Sequence, residues 1–150
     1  MEDDRFIKAG VIGALSTVIA EIASRILLAA GIGKYSVYQL NSLIVTINRP
    51  SEIIGLIINF LIASILSVLI FLMLKKWGDR YTIIICIMIS LFTWLLWEFI
   101  FTLSIEGKAI EIRPINDYYN HIIDTLVFGA SMGILLKCFI FKQAILNRPT

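Results

Sequence analysis

The sequence predicts an all-α protein: a polytopic transmembrane four-helix bundle with a short amphipathic interfacial helix between spans 1 and 2. Three observations carry this prediction. The 150-residue chain is 59% hydrophobic and 16% charged, whereas soluble domains run at about 45–50% and 25%. The apolar excess is gathered into four runs, at about 9–30, 53–74, 82–103 and 119–141, each close to the ~20 residues that cross a bilayer. Between them lie turn and charge signals: Pro50-Ser51, "KKWGDR" and "EGKAIEIRPIND". No repeat, low-complexity segment or second domain interrupts the pattern, so 1–150 reads as a single integral membrane domain.

Each element has its own justification. The opening "MEDDRFIKAG" mixes acids and bases and has no small-residue cleavage site behind a short apolar core. It therefore reads as the start of a retained first span, not as a removed signal peptide. In the connection "YQLNSLIVTINRP", Leu40, Leu43, Ile44 and Ile47 recur at helical spacing while Asn41 and Asn48 take another face. That pattern predicts a short helix lying in the interface, either simply packed there or acting as a lid. Ser51 is placed to cap span 2. Span 3 starts at Tyr81 and fades at "SIEGK", and Pro114 closes a solvated loop before span 4.

Lys and Arg near span ends set orientation. Arg5, Lys8, Lys75, Lys76, Arg80, Lys137, Lys142 and Arg148 fall on one side, eight in all, against Lys34, Arg49, Lys108 and Arg113, four, on the other. The expectation is a multi-pass protein of the cell (plasma) membrane with both termini cytoplasmic. The bilayer is its first partner.

Topology then gathers the buried polar residues. Span 1 runs outward, so Glu21 sits just past its middle and Arg25 about 6 Å beyond, at 1.5 Å per residue. Asn59 near the start of span 2, Glu98 late in span 3, and His121 and Asp124 early in span 4 fall in the same outer half. Thr17, Ser24, Trp94 and Trp97 flank them as candidate lining. A charge at mid-bilayer costs about 2.5–3.5 kcal/mol on insertion scales, so these groups are expected to turn inward and partner one another. Glu21 and Arg25 are four apart with the acid first, the favourable order. The forked guanidinium of Arg25 is expected to reach Glu98 and Asp124 as well.

Two functional readings follow. In one, the cluster lines an acidic polar cavity that binds or transports a cation, proton or small polar solute. In the other, it is a structural network that fixes bundle register in a non-catalytic accessory or assembly protein. A third, a metal-dependent intramembrane hydrolase, rests on His121 and Asp124 sharing a helical face with Glu98 in reach. Bundle di-metal sites use Glu-x-x-His from two helices, and this chain has one histidine in the opposite order. No cofactor is predicted otherwise.

Other chemistry is excluded more firmly. A net charge of +2, scattered along the chain, is no nucleic-acid footprint. Cys86 and Cys138 match no zinc or redox spacing. No Gly-x-Ser-x-Gly elbow appears, and only one histidine is present to serve as a base, so whether the chain is an enzyme stays open, with a non-enzyme the favoured reading. Gly129 and Gly133 form a small-xxx-small pair on the face of span 4 opposite Asp117, His121 and Asp124. Such a pair marks close approach, either by a neighbouring span or by a homo-oligomer or partner membrane protein.

In layout the chain resembles a group of small, uncharacterised four-span bacterial membrane proteins. The matching features are "AGVIGA" with the polar pair behind it, "YQLNSLIVTINRP", the Trp-bearing span 3, and the Asp/His start of span 4 followed by "FGASMG". The resemblance implies the four-span fold and assigns no residue a role.

Overall fold

A computed structural model gives the fold of residues 2–141, with side chains described from Asp4 onward. The described residues form five α-helices: α1 (Glu2–Ala29), α2 (Val37–Thr46), α3 (Glu52–Trp77), α4 (Thr82–Ser104) and α5 (Ile115–Leu136). A single π turn, Lys137–Phe141, continues α5. The long helices α1, α3, α4 and α5 are each long and apolar enough to span a membrane. Their ends differ from the sequence boundaries by a few residues, most at the starts of α1 and α5. Among the orientation-setting cations, Lys142 and Arg148 lie outside the described residues.

Local signals place the helix starts. Ser36 accepts from the Gln39 amide at 3.3 Å, and the Gln39 side chain accepts in return from the Ser36 amide at 3.1 Å. This reciprocal box starts α2. Ser51 caps α3 from the position the sequence assigns to it, and its own amide donates to Ser42 Oγ at 2.8 Å. Pro114, with no amide hydrogen to leave unpaired, precedes α5.

Packing is closest between α4 and α5, α1 and α3, and α1 and α5, so the spans run α3–α1–α5–α4 in an arc. Small residues set these approaches, as expected where lipid offers no hydrophobic drive between helices. A Cβ on Gly13 would collide with the Ala63 carbonyl on α3. Built on Gly129 or Gly133, it would come within 2.7 Å of the Ile87 or Ile83 Cα on α4. Of the two options the sequence left open, the Gly129/Gly133 face therefore meets a neighbouring span. A homo-oligomer or partner contact through that face is corrected, because α4 already fills it.

The two halves of the bundle differ. Towards the chain termini, Ala9, Ile12, Ile70, Phe71, Leu74, Cys86, Met132 and Leu136 form a closed apolar core. Towards α2, the spans enclose the polar residues. Outward-facing Ile57, Leu61, Ile65, Phe92, Leu95 and Phe99 are each more than half exposed. An apolar outer wall of this kind belongs to a multi-pass membrane protein, with lipid as its solvent.

Candidate functional site

Helix α2 lies across one end of the bundle as a lid, and its attachments are specific. Asp117 at the head of α5 accepts from the Lys34 amide in a short hydrogen bond and from the Tyr35 amide at 3.3 Å. Asn120 donates to the Ile32 carbonyl at 3.2 Å. Glu21 accepts from the Tyr38 amide at 3.0 Å, and the Thr17 and Tyr38 hydroxyls meet at 3.2 Å. Gly55 lets α3 run directly beneath the Tyr38 carbonyl, where any side chain would clash. A relay completes the seal: Trp97 Nε1 donates to Asn41 at 2.7 Å, Asn41 to Asn59 at 2.9 Å, and Asn59 to the Gly55 carbonyl at 2.8 Å. One side chain of the lid thus joins α4 to α3. Leu40 and Leu43 bury beneath it against Phe101 and Ile105, while Ile44 and Ile47 of the same sequence pattern stay outside.

Under the lid is a cavity of about 130 Å³, room for several waters at about 30 Å³ each. Thr17, Asn41, Asn59, Trp94, Trp97, Glu98, His121 and Asp124 line it, with apolar neighbours that include Leu40, Leu66 and Phe128. Seven of the ten residues singled out in the sequence therefore converge on one space. Glu21, Ser24 and Arg25 do not line it.

The charges divide differently from the sequence expectation. Arg25 reaches neither Glu98 nor Asp124. It holds Glu21 at 2.8 Å and Glu52 at 3.0 Å, with its side chain about half exposed. The reason is axial: Arg25 lies a turn beyond Glu21, at the rim where α3 begins, and the second carboxylate it meets there is Glu52. The arginine that neutralises Glu98 is Arg113, from the loop between α4 and α5. Its guanidinium makes a short ion pair with Glu98 and a second with Glu106 at 3.2 Å. Phe101 and Tyr118 flank it, their ring centroids 4.8 and 4.7 Å away. Glu106 also accepts from the Arg113 amide at 2.6 Å and from the Tyr118 hydroxyl at 2.9 Å. Burial pushes the Glu106 carboxyl up, but these donors and the guanidinium outweigh it and hold the carboxyl below its ordinary range.

Asp124, like the amide-bound Asp117, has no such pair. It is 3% exposed, and no Lys or Arg approaches it among the described residues. Its Oδ1 accepts from Thr125 at 3.2 Å, and His121 Nδ1 stands 3.5 Å from its Oδ2. Asp124 Oδ2, His121 Nε2, Ser90 Oγ and Trp94 Nε1 are buried with no hydrogen-bond partner in the protein, and all four residues line the cavity. Buried polar atoms are nearly always satisfied; six more lie off the cavity, Arg113 Nε and Nη1 and Asp117 Oδ2 among them, so these four show that the cavity wall has polar atoms free to meet a solute. Among the described residues no three His, Cys, Asp or Glu side chains gather as metal ligands, and Glu98 is committed to Arg113.

Sequence reading missed Arg113 and Glu106 because both sit in a loop that composition marks as solvated, yet they are 4% and 8% exposed. One signal was present. Glu98 falls near the loop end of span 3, and the next loop is the nearest source of a cation. Comparison with family models, with curated proteins and with solved structures finds no match.

Proposed function

We propose that this chain is a small membrane protein that binds a small polar or cationic solute in the cavity beneath α2, and that α2 admits it. One observation carries the reading: a buried acid, Asp124, lines a cavity with no Lys or Arg to balance it and with its Oδ2 free of any hydrogen bond. A structural network has no need of such a group, since Arg25 and Arg113 already tie their carboxylates. The apolar half towards the termini favours a blind pocket over an open pore. By the count of flanking Lys and Arg, the lid side is the outer side and the termini are cytoplasmic.

The test uses a Cys86→Ala, Cys138→Ser background. A cysteine at Thr93, on the cavity wall, is expected to react with a membrane-impermeant thiol reagent added to intact cells. A cysteine at Ser67, buried in the apolar half, is expected to stay unlabelled. Protection of Thr93→Cys at both faces of the membrane, in folded protein, overturns the reading.

A second reading has support in the Arg113 triad, where one guanidinium nitrogen pins both Glu98 and Glu106. In it the protein is a non-catalytic assembly factor, and Glu98→Gln lowers stability with no effect on solute binding or flux.

A further inference from the structure

The donor set of the cavity narrows what it takes. We infer that the ligand is a small organic ammonium ion carrying a short apolar substituent, its charge against Asp124 and its body among Trp94, Trp97 and Phe128. This rests on the reading of the cavity as a binding site and names the class of solute.

The argument runs from charge to shape. Glu98 is matched by Arg113, so Asp124 is the one lining carboxylate without a Lys or Arg partner; its nearest base is His121, with Nδ1 3.5 Å from Oδ2. A site with one carboxyl group free of Lys and Arg suits a ligand of at most one positive charge. Anions are opposed, since Arg113 is stacked between Phe101 and Tyr118, bonded to Glu98 and Glu106, and does not line the cavity. A bare metal ion asks for several hard oxygen or imidazole ligands at once. Beside Asp124 the lining offers His121, amides, hydroxyls and Glu98, which Arg113 holds, and no three metal-ligating side chains gather among the described residues.

An ammonium with alkyl groups needs less. It takes one carboxylate, and it gains from aromatic rings, which attract cations through their quadrupole. Trp94, Trp97 and Phe128 supply rings, and Leu40, Ile62 and Leu66 supply apolar wall. The unpartnered atoms also sort by role. Asp124 Oδ2 accepts, Trp94 Nε1 donates, and Ser90 Oγ does either. A hydroxyl or ether oxygen on the ligand's substituent would satisfy Trp94. The volume of about 130 Å³ limits the ligand to a small molecule.

The experiment titrates purified protein in nanodiscs, in a Trp77→Phe background that leaves only the two cavity tryptophans to report. The probes are tetramethylammonium, choline and ethylammonium chloride at constant ionic strength, with sodium chloride and neutral tert-butanol alongside. Saturable fluorescence change with the ammonium ions alone is expected. Asp124→Asn should weaken it at least tenfold, and Trp94→Leu by about tenfold. Trp94→Phe, which keeps a ring and loses only the N–H, should weaken it less than Trp94→Leu. If tert-butanol saturates the signal equally, or if Asp124→Asn binds ammonium as the parent does, the ammonium assignment is overturned and the cavity reading stands. If no probe changes the signal and Thr93→Cys is also unreactive, the binding site itself is overturned.

Discussion

Replacing Arg113 with methionine tests the interior electrostatics directly. The Arg113 side chain is fully buried, and its two partners, Glu98 and Glu106, are 9% and 3% exposed at the side chain. Removing the cation leaves two carboxylates in a poorly solvated site. Breaking a buried pair from one side costs about 3–5 kcal/mol, and losing the contacts to the Phe101 and Tyr118 rings adds roughly 1 kcal/mol. At about 2–4 °C per kcal/mol for a chain of this length, the melting temperature at pH 7.5 should fall by roughly 10 °C or more. The pH response should change sign as well. In the parent, Glu106 is held below its ordinary 4.5. Its stabilising share is therefore complete above that value and is lost as pH falls through the depressed folded value. In Arg113→Met, burial acts on Glu106 without the guanidinium, so protonation is favoured in the fold and acidification from pH 7.5 towards 5 should raise stability. Tryptophan-fluorescence melts in detergent across that range measure both effects. The triple variant with Glu98→Gln and Glu106→Gln should recover most of the loss, since neutral groups carry no unpaired charge. A single variant that melts within about 2 °C of the parent and keeps the parent's acid response would refute the argument.

Other outcomes follow from the lid. Gly55→Ala forces a methyl against the Tyr38 carbonyl; α2 should lift, with a cost of about 1–3 kcal/mol and faster thiol labelling of Thr93→Cys. Glu21→Ala removes the acceptor of the Tyr38 amide, and hydrogen exchange at that amide should accelerate while amides in the Ile70–Leu74 core stay protected. Trp97→Phe breaks the relay to Asn41 and Asn59; a loss of about 1 kcal/mol is expected by thermal melting, with no further loss when Asn41→Ala is added if the relay acts as a unit.

Much of the architecture was legible in the sequence, because in a bilayer the backbone has to satisfy itself and apolar length counts spans directly. The four helices, the Ser51 cap, the helix over 37–46 and the polar half all follow from composition and period. So does the convergence of Thr17, Asn59, Trp94, Trp97, Glu98, His121 and Asp124, since depth along a span is set by residue count and face by 100° steps. Which charge met which did not follow. Arg25 and Arg113 lie at the same end of the bundle, and sequence depth favoured the one inside a span. Only the tertiary structure decided between them, by turning Arg25 to the rim beside Glu52 and folding the loop so that Arg113 enters beneath Phe101 and Tyr118. The physical reason is that periodicity is local, whereas an ion pair depends on the rotation of one helix against another and on where a loop returns. Those are fixed by Gly13 against Ala63 and by Gly129 and Gly133 against α4, and they leave Asp124 as the cavity carboxylate without a Lys or Arg partner.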